Sequence, residues 1–156
     1  MWIAPEDKDP IVRHEPTRQS IGYFGAVRLR DGTLVTRRED RSFNGQTFWA
    51  FLKQLQLASQ TAGRRVVIIS DNARYHHALL HKAWRLDHAA QFDLDFLPPY
   101  CPQLNPIERV WKLLRRLRLH NQHFRKLEEV TAAVQPQFET WSQPNDALRR
   151  LCSIFG

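Results

Sequence analysis

Cysteine is scarce, with only Cys101 and Cys152 in 156 residues. Two cysteines cannot build a disulfide framework or a cysteine-rich zinc module, and their scarcity fits a reducing compartment. Long apolar runs are missing as well. The longest aliphatic stretch is Val66 to Ile69, and the opening from Met1 to Pro10 is charged and proline-containing, so neither a transmembrane span nor a signal peptide is expected. Neither internal repeats nor low-complexity tracts are evident. Acidic residues are absent from the stretch between Arg109 and Lys126, which carries Arg109, Lys112, Arg115, Arg116, Arg118, Arg125 and Lys126. Those seven charges equal the net charge of +7, because the other 16 Lys and Arg balance the 16 Asp and Glu. The excess is therefore local. A phosphate-contacting face is one reading and a solvated helix face the other.

What is present suffices for one core. Hydrophobic residues make up 42% of the chain, with five Trp and nine Phe, and the length is near that of one domain, so residues 1–156 are expected to form a single unit. Ile21, Tyr23, Phe24, Ala26, Val27 and Leu29, then Asp31-Gly32, then Leu34 and Val35, predict two antiparallel strands joined by a tight turn. Phe48, Phe51, Leu52 and Leu55 recur at helical spacing, predicting a helix over residues 45–61 with Gly63 at its C-terminal cap. Val66 to Ile69 shows no alternation and suits a strand buried on both faces. Asp71-Asn72 can then cap a helix running to about His88, and Phe92 to Leu97 reads as the next strand.

Further on, Ile107, Val110, Trp111, Leu114 and Leu117 mark one helix, and Leu127, Val130, Val134, Phe138 and Trp141 mark another, which Pro136 is expected to kink or interrupt. A short helix from Asp146 to about Ile154, capped by Asn145 or Asp146, closes the chain. This order predicts an α/β fold with a mixed sheet: a leading antiparallel hairpin, then parallel strands joined by right-handed crossovers, with helices packed on the sheet.

Two carboxylates stand at junctions of this scheme. Asp71 ends the Val66 strand, and Glu108 lies in the first turn of the helix that follows the loop after Leu97. Ligands of such sheets collect beyond the carboxyl ends of adjacent parallel strands, so the two acids can converge. Paired oxygen ligands suit Mg²⁺, which retains several waters, and two such ions can activate a water or hydroxyl and stabilise a leaving oxygen. Each acid also has a structural reading. Asp71 can cap a helix, and Glu108, three residues after Asn105 with Pro106 between, sits where a capping-box glutamate belongs. The prolines of Pro98, Pro99, Tyr100, Cys101 and Pro102 restrict the unfolded chain and favour one fixed approach path to Glu108. A histidine site is a further option, since His77 and His81 are four residues apart, but a third ligand and an HExxH pattern are lacking.

The segments VVIISDNARYHH and LPPYCPQLNPIERVW resemble the second and third acidic motifs of the DDE-superfamily endonucleases found in mariner-like insertion-sequence transposases. GYFGAVRLRDGTL and the Phe43-Asn44-Gly45 helix start look like family features too, so the likeness covers roughly residues 22–118. The resemblance implies a ribonuclease-H-like fold that binds two Mg²⁺ or Mn²⁺ ions, cuts DNA at transposon ends and joins the freed 3′ hydroxyl to a target. By that match Asp71 is the second acid and Glu108 the third, with Asn72 and His76 as auxiliary residues. DNA is the implied partner, with Arg109, Lys112, Arg115, Arg116 and Arg118 on its side of the site. A homodimer or a complementing product of an upstream reading frame is a further possible partner, and the expected location is cytoplasmic, on the nucleoid in a bacterium.

Departures from the family pattern also carry expectations. Cys101 stands where serine is common and Gln103 where an acid is frequent. The first acid would lie on a strand preceding Trp2, so that strand is expected to be absent, as is the helix-turn-helix region that recognises transposon ends. No substitute is evident: Glu6, Asp7, Asp9, Asp31, Glu39 and Asp40 fall in a polar leader, a turn and a strand end, where charged groups face solvent. Three readings follow: a transposase catalytic portion inactive alone, a non-catalytic DNA-binding remnant, and an intact nuclease with an unrecognised third acid.

Overall fold

In the computed structural model the described residues are 2–3, 12–13, 20–40, 42–60, 63–71, 79–99 and 101–153. Strands β1 (Trp2–Ile3) and β2 (Val12–Arg13) are two-residue bridges to β3 (Ser20–Val27), and β4 (Leu34–Glu39) pairs with β3 from Gly22 to Val27. All of these pairings are antiparallel. The predicted hairpin is thus present. Its turn is closed by Gly32, whose φ of +78° suits glycine, and by the Asp31 carboxylate, which accepts from the Thr33 amide and pairs with Arg28. That guanidinium holds the Asp31 carboxyl well below the usual carboxylate range.

Helix α1 (Gly45–Gln60) starts where the Asn44 Oδ1 accepts from the amides of Gln46 and Thr47, and ends at Gly63, in the left-handed region at φ +62°, whose amide donates to the Gln60 carbonyl. Strand β5 (Val66–Ser70) follows, then a single 3₁₀ turn at Leu79–His81 and helix α2 (Lys82–Asp87). The helix predicted after Asp71 therefore ends near His88 as expected, while its start falls on residues 72–78, outside the described residues. Strand β6 (Phe92–Phe96) pairs parallel to β5 in the register Val66↔Phe92 through Ser70↔Phe96.

The remaining elements are α3 (Ile107–Leu114), a π-helical turn at Arg115–Leu119, α4 (Leu127–Trp141) and α5 (Asp146–Leu151). The Asn145 side chain caps α5 by accepting from the Leu148 amide. Ile154 lies outside the described residues.

Side-chain alternation along β3 divides the core. Phe24 and Ala26 face α1, where Phe48, Phe51 and Leu52 join Ile68 of β5 and Phe92 and Leu94 of β6. Tyr23 and Val27 face the other way, toward Ile107, Val110, Trp111 and Leu114 of α3, Val130, Val134, Phe138 and Trp141 of α4, and Leu148 of α5. Between Tyr23 and Val27 stands Gly25, and the Trp111 indole occupies the space a side chain would take there.

Among the described residues the ladders form two sheets, one antiparallel and four-stranded, the other the parallel pair β5 and β6, so both kinds of pairing expected of the mixed sheet are present. Three expectations need correction. Strand β5 is buried on one face only: Ile68 packs on α1, but Val67 is 51% exposed, because α3, α4 and α5 pack over the β3-β4 hairpin and leave this face bare. Leu117 is 49% exposed rather than in the core, since the π turn widens the helix and rotates it out of line with Val110 and Leu114. Pro136 does not interrupt α4, because it sits on the exposed side, where the carbonyl it leaves without a donor faces water.

Replacing Gly25 with alanine drives a methyl group into the Trp111 ring, and neither β3 nor α3 has room to retreat. The expected cost is about 1–3 kcal/mol, read as a lowered urea midpoint with an unchanged slope.

Candidate active site

The parallel register of β5 and β6 decides which chain segments leave the sheet together. The Leu97 amide donates to the Ser70 carbonyl at 2.8 Å, so the two strands end side by side. Asp71, half-buried, is the next residue on one of them. From the other, Pro98 and Pro99 lead by way of a 3₁₀ turn at Pro102–Leu104 to Asn105, Pro106 and α3, with Glu108 half-buried in its first turn. A carboxylate there is favoured by the positive end of the helix.

The capping-box reading of Glu108 does not match the geometry. The Glu108 amide donates to the Asn105 backbone carbonyl at 3.1 Å, and no side chain caps α3. Asn105 is 1% exposed, and neither its carboxamide oxygen nor its nitrogen has a partner among the described residues. A buried amide without hydrogen bonds is costly, so this group has donors and acceptors available for a water or a ligand. From sequence Asn105 read only as a helix start. The signal was its place in the loop before Glu108, three residues ahead of the acid.

The predicted basic residues separate by environment. Lys112 and Arg116 are exposed, one helical turn apart, with no hydrogen bond or ion pair among the described residues. Arg118 is exposed and its Nε donates to the Gln137 side chain at 3.2 Å. Arg115 is half-buried, and that burial lowers its pKa. Arg109 turns away from the loop, its Nη1 donating to the carbonyls of Leu151 at 3.0 Å and Ser153 at 3.2 Å. Asn72, His76 and His77 lie outside the described residues, as do Tyr100, Glu6, Asp7 and Asp9. His81 is buried. Asp31, Glu39 and Asp40 each pair with an arginine of the hairpin, Arg28, Arg37 and Arg38.

Among the described residues no group of three His, Cys, Asp or Glu side chains is placed to hold a metal ion. Asp71, Glu108 and the unpartnered Asn105 carboxamide are all oxygen donors, the type a hard divalent cation takes. No described helix is long and apolar enough to cross a membrane.

The sequence profile described as DDE superfamily endonuclease matches residues 2–131. The chain belongs to that family. In structure, this DDE endonuclease chain is similar to the catalytic domain of the Mos1 mariner transposase, with a TM-score of 0.69 at 16% identity over 91% of this chain and 71% of the other. It also superposes on the Mos1 catalytic domain with Raltegravir and Mn, at a TM-score of 0.64 and 18% identity over 91% of this chain and 72% of that one. Against the Mos1 strand transfer complex the TM-score is 0.63 at 19% identity, covering 96% of this chain and 44% of that one. The predicted α/β, ribonuclease-H-like fold is therefore present. A curated relative, the uncharacterized protein y4pE/y4sA of Sinorhizobium fredii (strain NBRC 101917 / NGR234), is 34% identical over 68 residues, which are 44% of this chain and 47% of the relative. The match thus spans about half of that relative's length.

The two cysteines of the DDE chain differ in environment. Cys101 is half-buried in the loop, whereas Cys152 is buried and its thiol is pushed up to about 11, burial outweighing the opposing effect of Arg109. Iodoacetamide at pH 8 is expected to label Cys101 at least roughly tenfold faster than Cys152, since only the thiolate reacts. Mass spectrometry of timed samples reads both rates.

Proposed function

We propose that this chain is the catalytic portion of a DDE transposase, acting on DNA at transposon ends and target, with Asp71 and Glu108 as two of its metal-binding acids. The observation that carries this reading is the parallel β5-β6 register, which sends Asp71 and the loop leading to Glu108 out of the same end of the sheet. Asp71 and Glu108 would hold Mg²⁺ or Mn²⁺, two ions in the complete site, and Asn105 would hydrogen-bond a water retained there. Bound metal supplies activation of a hydroxyl and stabilisation of the leaving oxygen. The chain's own part is to orient: β5 fixes Asp71, and the loop and α3 fix Glu108.

On its own the chain is expected to be inactive, because two carboxylates cannot offset the mutual repulsion of two divalent cations. A complementing product of an upstream frame, or a second copy, would supply a third acid. In a strand-cleavage assay with Mn²⁺, the chain alone is expected to cut no faster than the Asp71→Ala and Glu108→Ala variants. Cutting should appear when an upstream polypeptide bearing an acid on a strand is added, and both substitutions should abolish it. Robust cutting by the chain alone that vanishes in Asp71→Ala would sink the inactive reading.

A second reading, a non-catalytic DNA-binding remnant, is favoured by the exposure of Lys112, Arg116 and Arg118. In either reading Lys112 and Arg116, roughly 6 Å apart along the helix, are the phosphate contacts. Alanine at both is expected to lower the slope of log affinity against log salt by about 1.8 for duplex DNA. An unchanged slope would remove this face from the DNA contacts.

A further inference from the structure

The first turn of α3 is held on its inner side by Ile107 and Val110 in the core. No side chain caps it, the Asn105 carboxamide does not reach its amides, and its first backbone bonds, Glu108 to Asn105 and Arg109 to Pro106, are both 3.1 Å. Yet this turn carries Glu108, and a metal site tolerates little displacement of its ligands. A polar contact on the outer side of the turn would add to that packing.

We propose that Arg109 is a positioning residue, clasping the first turn of α3 to the C-terminal end of α5 and so holding Glu108 in place. The proposal rests on the reading of Glu108 as a metal-binding acid. One guanidinium nitrogen of Arg109 bridges the carbonyls of Leu151 and Ser153, at the end of α5 where carbonyls lack helical partners and the dipole favours a cation. Beside it the Cys152 thiol donates to the Pro106 carbonyl at 3.6 Å, so α5 touches α3 on both sides of Glu108 in sequence.

The clasp is anchored at its far end. The Asn145 amide donates to the Asp31 carbonyl at 2.9 Å, and its side chain donates to the Gly32 carbonyl at 3.0 Å while capping α5. Leu148 buries the middle of α5 in the same core as Ile107 and Val110. A continuous chain of bonds therefore runs from the β3-β4 turn through α5 to the turn bearing Glu108. Helix α5 lies beyond residue 131, where the family match ends.

The test compares wild type, Arg109→Ala and Arg109→Lys as full chains, by hydrogen exchange resolved to residues 107–110 and by titration with Mn²⁺ alone, followed by electron paramagnetic resonance. Arg109→Ala is expected to speed exchange in that turn and weaken Mn²⁺ binding, each roughly tenfold, with β5 exchange unchanged, and Arg109→Lys to restore most of both. Unchanged exchange overturns the clasp. Faster exchange with Mn²⁺ affinity intact overturns the positioning role, as does a loss of about 0.9 in the salt slope for duplex DNA with no change in exchange, which would make Arg109 a phosphate contact. A wild-type chain whose Mn²⁺ binding ignores Glu108→Ala instead removes the metal reading, and the exchange result alone then decides the clasp. Where Arg109→Ala does not fold, Arg109→Met, which keeps the apolar stem and loses the donors, carries the same comparison.

Discussion

The arrangement depends on the contact between Trp111 and Gly25. Helix α3 approaches β3 closely only because position 25 has no side chain, and the indole fills that space while its neighbours Tyr23 and Val27 pack on the same helical layer. A buried tryptophan contributes several kcal/mol through the area it removes from water. Trp111 is also less than one helical turn beyond Glu108, so the same contact that closes the core fixes how far the acid stands from the sheet. The family's motif spacing thus acquires a mechanical meaning: the acid is delivered by a helix whose height over β3 is set by one ring on one glycine.

The basic segment divides its labour. Read as charge alone, Arg109 to Lys126 is uniform. In the fold Arg109 is spent on α5, Arg115 is half withdrawn into the protein, and Lys112 and Arg116 face water. Cations one or two residues apart on a helix, such as Arg115 and Arg116, point in different directions, so one run of charge supplies both internal bonds and an outer face. The π turn sharpens the division by rotating Leu117 outward and ending the regular helix.

Much of the fold was legible because periodicity reports burial. The hairpin, α1, β6, α4 and α5 follow from alternation or helical spacing and from local punctuation such as Asn44, Gly63 and Asn145, whose capping bonds are local chemistry. The errors share a cause. Val67 and Ile69 are apolar enough for a core, but only their partners decide whether anything covers them. Pro136 forbids one backbone bond, and which way that carbonyl faces is a property of packing. In the candidate site Asp71 and Glu108 stood out by motif, whereas Asn105 did not, because an asparagine ahead of a helix usually means a cap.

By itself the sequence determined the order of elements and the family and singled out the two candidate acids, since these rest on spacing, turn chemistry and a motif whose residues are contiguous. Tertiary structure decided what contiguity cannot. The parallel register sends Asp71 and the loop toward Glu108 out of one sheet end, α5 returns from the far end of the chain to bond the turn that carries the acid, and Asn105 keeps a buried amide unsatisfied. Each of these joins residues far apart in sequence or depends on what surrounds a side chain, and such contacts exist only once the chain has closed its loops and paid their entropy.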